Sequence, residues 1–389
     1  MSSLYLLDPT TPGAAWAPYT GSTPFGDLRA GAWRLRERWS RALGASVAGH
    51  IAPHVTGPRP TGAAPVVAAG AVSGPCWVVD STFSPKVPMR AVGGAKRLLS
   101  GGKTVAWRLD PGESWQGAHN DGDGIVIEGL ALRGAFDLLA ALEQQLFTDL
   151  LGDLDGASDP IPTGVLVLGN PGAIALRGAT LEPGVILDAR KGAIILERGV
   201  DVRAGTRIEG PARVDHDTML LGGYLRHVSV GPHCRLHGEI STSSFAGYAN
   251  KSHDGFLGHS VVGEWVNLGA GTITSNLKNT YGPVRLDVGT ARIETGRTNV
   301  GTLFGDHVKT AIGTLLPTGA VVGTGANLFG PPRAPKYVAP FAWGGDTEER
   351  LTVDAFIATA SRILPRREVK VDGAMEASLR ALHGRLATG

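Results

Sequence analysis

Between about Gly164 and Gly330 apolar residues recur every sixth position. Leu196, Val202, Ile208, Val214 and Leu220 form one series. Phe256, Val262, Leu268 and Thr274 form a second, and Phe304, Thr310, Leu316, Val322 and Leu328 a third in the same phase. A period of six fits neither an α-helix nor a two-sided strand. It fits a parallel β-helix, in which each hexapeptide lays one short strand on one face of a prism and its recurring residue points inward. Glycines follow the inward residue at Gly263, Gly269, Gly305 and Gly323, where the chain must bend. The phase breaks over Tyr224–Lys251, and a longer, polar interruption runs from Ser275 to Leu303. Excursions from a solenoid leave as loops and commonly carry function.

The flanks have another character. Before about residue 156, Leu4–Leu7, Cys76–Val79, Thr104–Trp107 and Ile125–Ile127 read as strands. Asp27 is the expected N-cap of a helix running through Leu43, and a second helix covers about Ala135–Leu151. Alternating strands and helices make residues 1–156 an α/β domain. The β-helix is expected over 160–335. Residues 336–389 follow the proline-rich Pro331–Pro335 exit and read as helices over about Val353–Ile363 and Gly373–Leu386 that cap the open end.

Composition narrows the class. Of 389 residues 19% are charged, with a net charge of +2, so there is no basic stripe for nucleic acid. The 56 glycines and 25 prolines suit a turn-rich β architecture. Cys76 and Cys234 make neither a disulfide framework nor a metal motif and read as reduced thiols. The N-terminus lacks the basic and apolar segments of a signal peptide, and the most apolar window, 64–79, is too broken to span a bilayer. The expectation is a cytoplasmic protein with no membrane partner.

The chemistry-bearing residues cluster in Asn250-Lys251-Ser252-His253-Asp254-Gly255-Phe256-Leu257-Gly258 and Val266-Asn267-Leu268-Gly269-Ala270-Gly271-Thr272-Ile273-Thr274-Ser275-Asn276. These runs resemble the acetyltransferase half of the bifunctional GlmU family, whose members make UDP-N-acetylglucosamine. That family joins a nucleotidyltransferase domain to a left-handed parallel β-helix, the domain order read here. The segment Pro18-Tyr19-Thr20 to Pro24-Phe25-Gly26-Asp27-Leu28-Arg29-Ala30-Gly31 resembles a divergent branch described as sugar nucleotidyltransferases. The resemblance implies acetyl-CoA as co-substrate, an amino-sugar phosphate or nucleotide sugar as acceptor, and a homotrimer. It places the general base at His253, acceptor contacts at Lys251, Phe256, Asn267 and Asn276, and the thioester arm at Ala270 and Gly271. A histidine with an ordinary pKa of about 6.5 suits removal of a proton from an attacking amine. Phe256 stands where the family has a tyrosine, and a family lysine falls near Ser241 or Thr242, so the acceptor is expected to differ from glucosamine-1-phosphate.

In the first domain Asp80, at a strand end, is the candidate Mg²⁺ ligand. Asp27 and Arg29 are the candidate phosphate contacts, beside their plainer readings as a helix cap and a solvated helix residue. The glycine-rich phosphate loop of active family members is absent after the first strand; Gly21 is the one glycine in Tyr19–Thr23. This leaves two alternatives open: a nucleotidyltransferase that uses the β-helix only to trimerise, and a non-catalytic sugar-nucleotide scaffold. His227, His233, His237, His253 and His259 crowd the β-helix, but their spacing fits no metal motif.

Overall fold

A computed structural model describes residues 2–55, 57, 59, 62–156, 158–345 and 348–387. The first domain is built on a six-stranded sheet of β1 (Ser3–Leu7), β2 (Ser46–Ile51), β3 (Cys76–Asp80), β4 (Arg97–Ser100), β5 (Lys103–Leu109) and β6 (Gly124–Val126). The order is β2-β1-β3-β5-β4-β6. β1 runs parallel to both neighbours, and β5 is antiparallel to β3. Side chains alternate across β3. Trp77 and Val79 join Leu4, Leu6 and Trp39 on one face, while Cys76 and Val78 join Ile51, Trp107 and Trp115 on the other.

Helix α1 is shorter than the sequence suggests. It spans Leu35–Leu43 and ends on left-handed Gly44. Residues 25–27 form a single 3-10 turn, and Arg29–Ala30 pairs antiparallel with Trp33–Arg34 around Gly31. Gly31 has φ +61°, and a Cβ there would collide with Arg38 and Asp149. A tight turn is therefore forced where a helix was expected, and Asp27 caps nothing. Its carboxylate pairs with Arg36 at 2.7 Å and Arg59 at 2.9 Å.

From Leu166 to Val338 the chain is a parallel β-solenoid. One eight-stranded face stacks Leu181, Val202, Leu220, Leu236 and Lys251 in register, and continues through Leu268, Thr310 and Leu328. The period-six residues are interior, with one exception. Phe256 is half-exposed, and its neighbour Leu257 fills the core instead. The reason is coil length. Val202 to Leu220 spans 18 residues, but Leu236 to Lys251 spans 15 and Lys251 to Leu268 spans 17. Contracted coils slide the inward position by a residue.

The Ser275–Leu303 interruption is an excursion, but it serves architecture. It carries a hairpin, Arg285–Val288 against Ala291–Glu294. Val284, Leu286 and Val300 bury themselves against Trp16, Tyr19, Phe25 and Leu132 of the first domain. Beside them Trp16 stacks on Phe25 at 4.1 Å, and the Tyr19 hydroxyl donates to the Phe304 carbonyl at 3.0 Å. Arg29 is 4% exposed, donates to Ser229 Oγ at 3.0 Å and pairs with Asp215 on the solenoid. Burial opposes ionisation of Asp215, but Arg29 and Arg213 outweigh it and hold that carboxyl low. Helices α2 (Asp137–Gly152), α3 (Val353–Ile363) and α4 (Gly373–Leu386) complete the chain. α2 lies in the seam between the domains. α3 and α4 pack along the side of the solenoid on Trp265 and Phe341. Among the described residues no helix is long and apolar enough to cross a membrane.

Arg38 is fully buried and is held by Asp149, the Ala30 carbonyl at 3.1 Å and the Pro85 carbonyl at 3.0 Å. Asp149→Ala strands that charge and is expected to cost about 3–5 kcal/mol in urea denaturation. A milder change tests Asp306, which accepts from Thr23 Oγ1 at 2.6 Å and Glu264 N at 2.8 Å. Burial, and then the Glu264 charge, push its carboxyl up to about 6. A raised acid favours the fold below its unfolded pKa, and that gain is lost as pH rises through 6. Asp306→Asn is therefore expected to be at least as stable as wild type at pH 7. Lowering the pH from 7 to 4.5 should then favour wild type relative to the variant by about 2 kcal/mol.

Candidate functional sites

Two places carry convergent chemistry. The first is the crevice at the carboxyl ends of β1, β2 and β3. Chain order reverses at β1, which is where open α/β sheets bind ligands. A cavity of about 890 Å³ opens there, lined by Asp8, Thr10, Ile51, Val66, Asp80, Trp107 and Trp115. Asp8 is fully committed. Its Oδ1 accepts from Ser81 Oγ at 2.5 Å, and its Oδ2 from Phe25 N and His54, each at 2.9 Å. The Gly21 N–H donates to His54 Nδ1 at 3.0 Å, so His54 presents its Nε2–H to Asp8.

Asp80 is freer. Thr82 N and Oγ1 both donate to its Oδ1 at 2.7 Å, and its Oδ2 has no hydrogen bond among the described residues. Burial raises its pKa, and the nearby Asp8 charge adds to the rise. Mg²⁺ is commonly held by one or two carboxylates together with substrate phosphates. One open carboxylate oxygen fits that arrangement and not a cage made of protein alone.

The candidate phosphate contacts lie elsewhere. Asp27 and Arg29 face the seam with the solenoid, outside the crevice. Burial works against ionised Asp27, but His50, Arg36 and Arg34 outweigh it and hold the carboxyl below the usual range. Arg29 is taken up by Asp215, Ser229 and the Ala32 carbonyl. The segment after β1, where a phosphate cradle would sit, is the hook carrying Trp16, Tyr19 and Phe25 into the seam.

The second place is a corner and adjoining face of the solenoid. His253 is exposed, and its ring has no hydrogen bond among the described residues. Its loop is fixed from both sides. Lys251 Nζ donates to the His253 carbonyl at 2.7 Å and the His237 carbonyl at 3.0 Å. Gly271 N donates to the Asp254 carbonyl at 3.0 Å, which puts the Gly-Ala-Gly turn one coil away. Lys251 is 2% exposed and occupies the interior row between Leu236 and Leu268. Burial pulls its pKa down to about 8. It positions the His253 loop and does not face an acceptor.

Asn267 Oδ1 accepts from Asn250 Nδ2 at 2.7 Å, and Ser252 Oγ donates to Asn250 Oδ1 at 2.6 Å. Phe256 and Asn276 meet over Gly258, where a Cβ would strike the ring and lie 2.9 Å from Asn276 Nδ2. Asn276 Nδ2 contacts His259 Nδ1 at 2.7 Å. Burial lowers the His259 pKa to about 4, so its ring is neutral at pH 7 and accepts that bond. His259 and Thr242 line a groove of about 440 Å³ with Lys191 and Arg226. The strand Phe256–Gly258 joins this groove to the His253 corner. The partnership of Asn276 with His259 had no signature in the sequence, because the two residues lie 17 positions apart on successive coils.

Residues 8–151 match the family model described as sugar nucleotidyl transferase. A stretch of 143 residues is 31% identical to the bifunctional sugar-1-phosphate nucleotidylyltransferase/acetyltransferase of Sulfurisphaera tokodaii, covering 36% of each chain. Over 86 residues it is 34% identical to the bifunctional protein GlmU of Methanocaldococcus jannaschii, covering 22% of this chain and 21% of that one. Over 155 residues it is 28% identical to the bifunctional protein GlmU of Methanococcus aeolicus, covering 36% of each. The chain thus spans about a third or less of the length of these curated relatives. Its first domain matches the sugar nucleotidyl transferase family model and is joined to a parallel β-solenoid, and over these stretches the chain is similar to the GlmU-type bifunctional enzymes.

Proposed function

We propose that this chain is an acetyl-CoA-dependent N-acetyltransferase acting on an amino-sugar phosphate or a nucleotide sugar, with His253 as general base. The observation that carries the reading is the His253 corner. A solvent-facing imidazole stands on a loop clamped by Lys251 and tied to the Ala270–Gly271 turn. In this reading the acceptor amine attacks the thioester carbonyl, forming a C–N bond. His253 takes the amine proton, the C–S bond breaks, and the proton passes to the departing thiolate. Backbone N–H groups of the glycine turns are the natural donors to the oxyanion. The acceptor lies along Phe256 and Asn276, with Arg226 and Lys191 supplying positive charge toward its phosphate. Phe256 offers an apolar wall and no hydroxyl, which favours an acceptor other than glucosamine-1-phosphate.

The same reading makes the protein a homotrimer. Ile273 and Leu315 pair in register and are 42% and 43% exposed, and Ile312 is 79% exposed. This strip follows directly on Gly271, and an exposed apolar patch beside a site suits a neighbouring copy. His253→Ala is expected to lower kcat for thioester-dependent acetylation about 10²–10⁴-fold with its melting temperature unchanged. Full activity in that variant, or a monomer by light scattering, removes the proposal.

A second reading is favoured by the open carboxylate of Asp80 in the first-domain crevice. There the protein is a sugar-1-phosphate nucleotidyltransferase, with Asp80 holding Mg²⁺ against the substrate phosphates. Such an ion would offset the charge that the missing glycine loop leaves bare. If that activity exists, Mg²⁺-dependent release of pyrophosphate from UTP and a sugar-1-phosphate is abolished in Asp80→Asn and retained in His253→Ala. If wild-type protein releases no pyrophosphate, the second reading falls and the first stands.

A further inference from the structure

One corner of the solenoid repeats the same left-handed residue on successive coils. Gly199, Asp217, His233, Tyr248, Trp265 and His307 have φ of 71°, 57°, 56°, 55°, 61° and 61°. Each ladder N–H from Asp217 through Tyr248 bonds to the carbonyl just before the equivalent residue of the preceding coil, and His307 repeats the pattern. From His233 onward the side chains stack as rings. His233 lies 4.9 Å from Tyr248, Tyr248 4.4 Å from Trp265, and Trp265 6.5 Å from His307. The ladder then changes character. At Asp217 it presents a carboxylate, flanked by His216 and His233.

We propose that His216, Asp217 and His233 form a binding site for a divalent transition-metal ion, with Zn²⁺ the best fit. Among the described residues this is the one set of three His, Cys, Asp or Glu ligand atoms lying within 4.8 Å of one another. His216 Nδ1 is 2.8 Å and His233 Nε2 3.9 Å from the same oxygen, Asp217 Oδ2. Ligands about 2.0–2.1 Å from a tetrahedral Zn²⁺ stand about 3.3–3.4 Å apart, so the two distances bracket the edge required. The imidazoles are nearly perpendicular, at 86°, and can aim at one point without stacking.

The surroundings support the ligands. Gly199, one coil earlier, has no side chain, and a Cβ there would collide with Asp217 Oδ1. The His233 ring is fixed by its 17° stack on Tyr248, and its carbonyl accepts from Arg367 Nε at 3.2 Å. Asp217 also faces Arg198, whose guanidinium is 3.9 Å away and whose side chain is 74% exposed. An exposed pair at that distance is weak and yields to a coordinated ion. Two imidazoles and one carboxylate select a borderline metal over Mg²⁺ or Ca²⁺, and leave a position open to water. The ion would tie two coils together beside the point where the C-terminal segment attaches.

The test uses the full chain after chelator treatment. Zn²⁺ binding is measured by equilibrium dialysis with metal analysis, and geometry by the visible spectrum on Co²⁺ titration. Wild type is expected to bind one ion per chain, give a tetrahedral Co²⁺ spectrum and melt at a higher temperature with Zn²⁺. The near-isosteric Asp217→Asn and the half-exposed His216→Ala should each weaken binding at least tenfold and lose the Zn²⁺-dependent rise in melting temperature. His237→Ala, at another corner, should bind as wild type does. Circular dichroism confirms that each variant is folded. No stoichiometric binding by wild type overturns the proposal, as does equal binding by folded Asp217→Asn and His216→Ala.

Discussion

The first domain and the solenoid are joined by buried charge, and much else depends on that seam. Arg29 reaches out of the first domain to Asp215 and Ser229, and Arg38 holds the Gly31 turn against Asp149 of α2. Each guanidinium is nearly or wholly out of water. A buried ion pair adds little over an apolar one, but losing one partner is severe. The Arg29–Asp215 pair therefore acts less as glue than as a specification of how the domains meet, while Arg38–Asp149 fixes the turn inside the first domain. Trp16, Tyr19, Phe25 and the Arg285–Glu294 hairpin then fill the space that the pairs define.

That docking explains why the first domain departs from an ordinary nucleotide binder. The stretch between β1 and α1 is where phosphates would be cradled at the carboxyl edge of the sheet. Here it leaves the crevice, turns through Gly31 and anchors the solenoid. Asp8, Asp80 and two tryptophans remain at the crevice. The solenoid site has the opposite character, with its key ring exposed and its supports buried.

The period of six made the solenoid legible, because an inward residue on each face is imposed by stacking. It could not reveal that coils contract to 15–17 residues around Lys251, and so it placed Phe256 in the core in place of Leu257. Lys251 itself reads as a surface cation in any sequence, yet the stack draws it inward, where two carbonyls receive it. Helix α1 was overextended because its apolar spacing continues back through Trp33 and Leu28, while the override comes from Gly31 and a long-range pair with α2. The histidines had no motif spacing for a related reason. His216 and His233 lie 17 positions apart, and only the pitch of a contracted coil brings them together.

The hairpin between Arg285 and Glu294 has a mechanical consequence. It springs from the solenoid one coil beyond the His253 corner and ends wedged beneath the first domain. Arg133 of the first domain donates to the Thr295 carbonyl at 3.1 Å, and Arg297 pairs with Glu143 of α2 at 2.6 Å, so the wedge is pinned at its root. The loop that begins beyond Ile273–Thr274 and carries Asn276 is therefore held at its far end by the first domain. The hairpin thus fastens the coil that carries the candidate acceptor site to the first domain at a second point, separate from the Arg29–Asp215 pair.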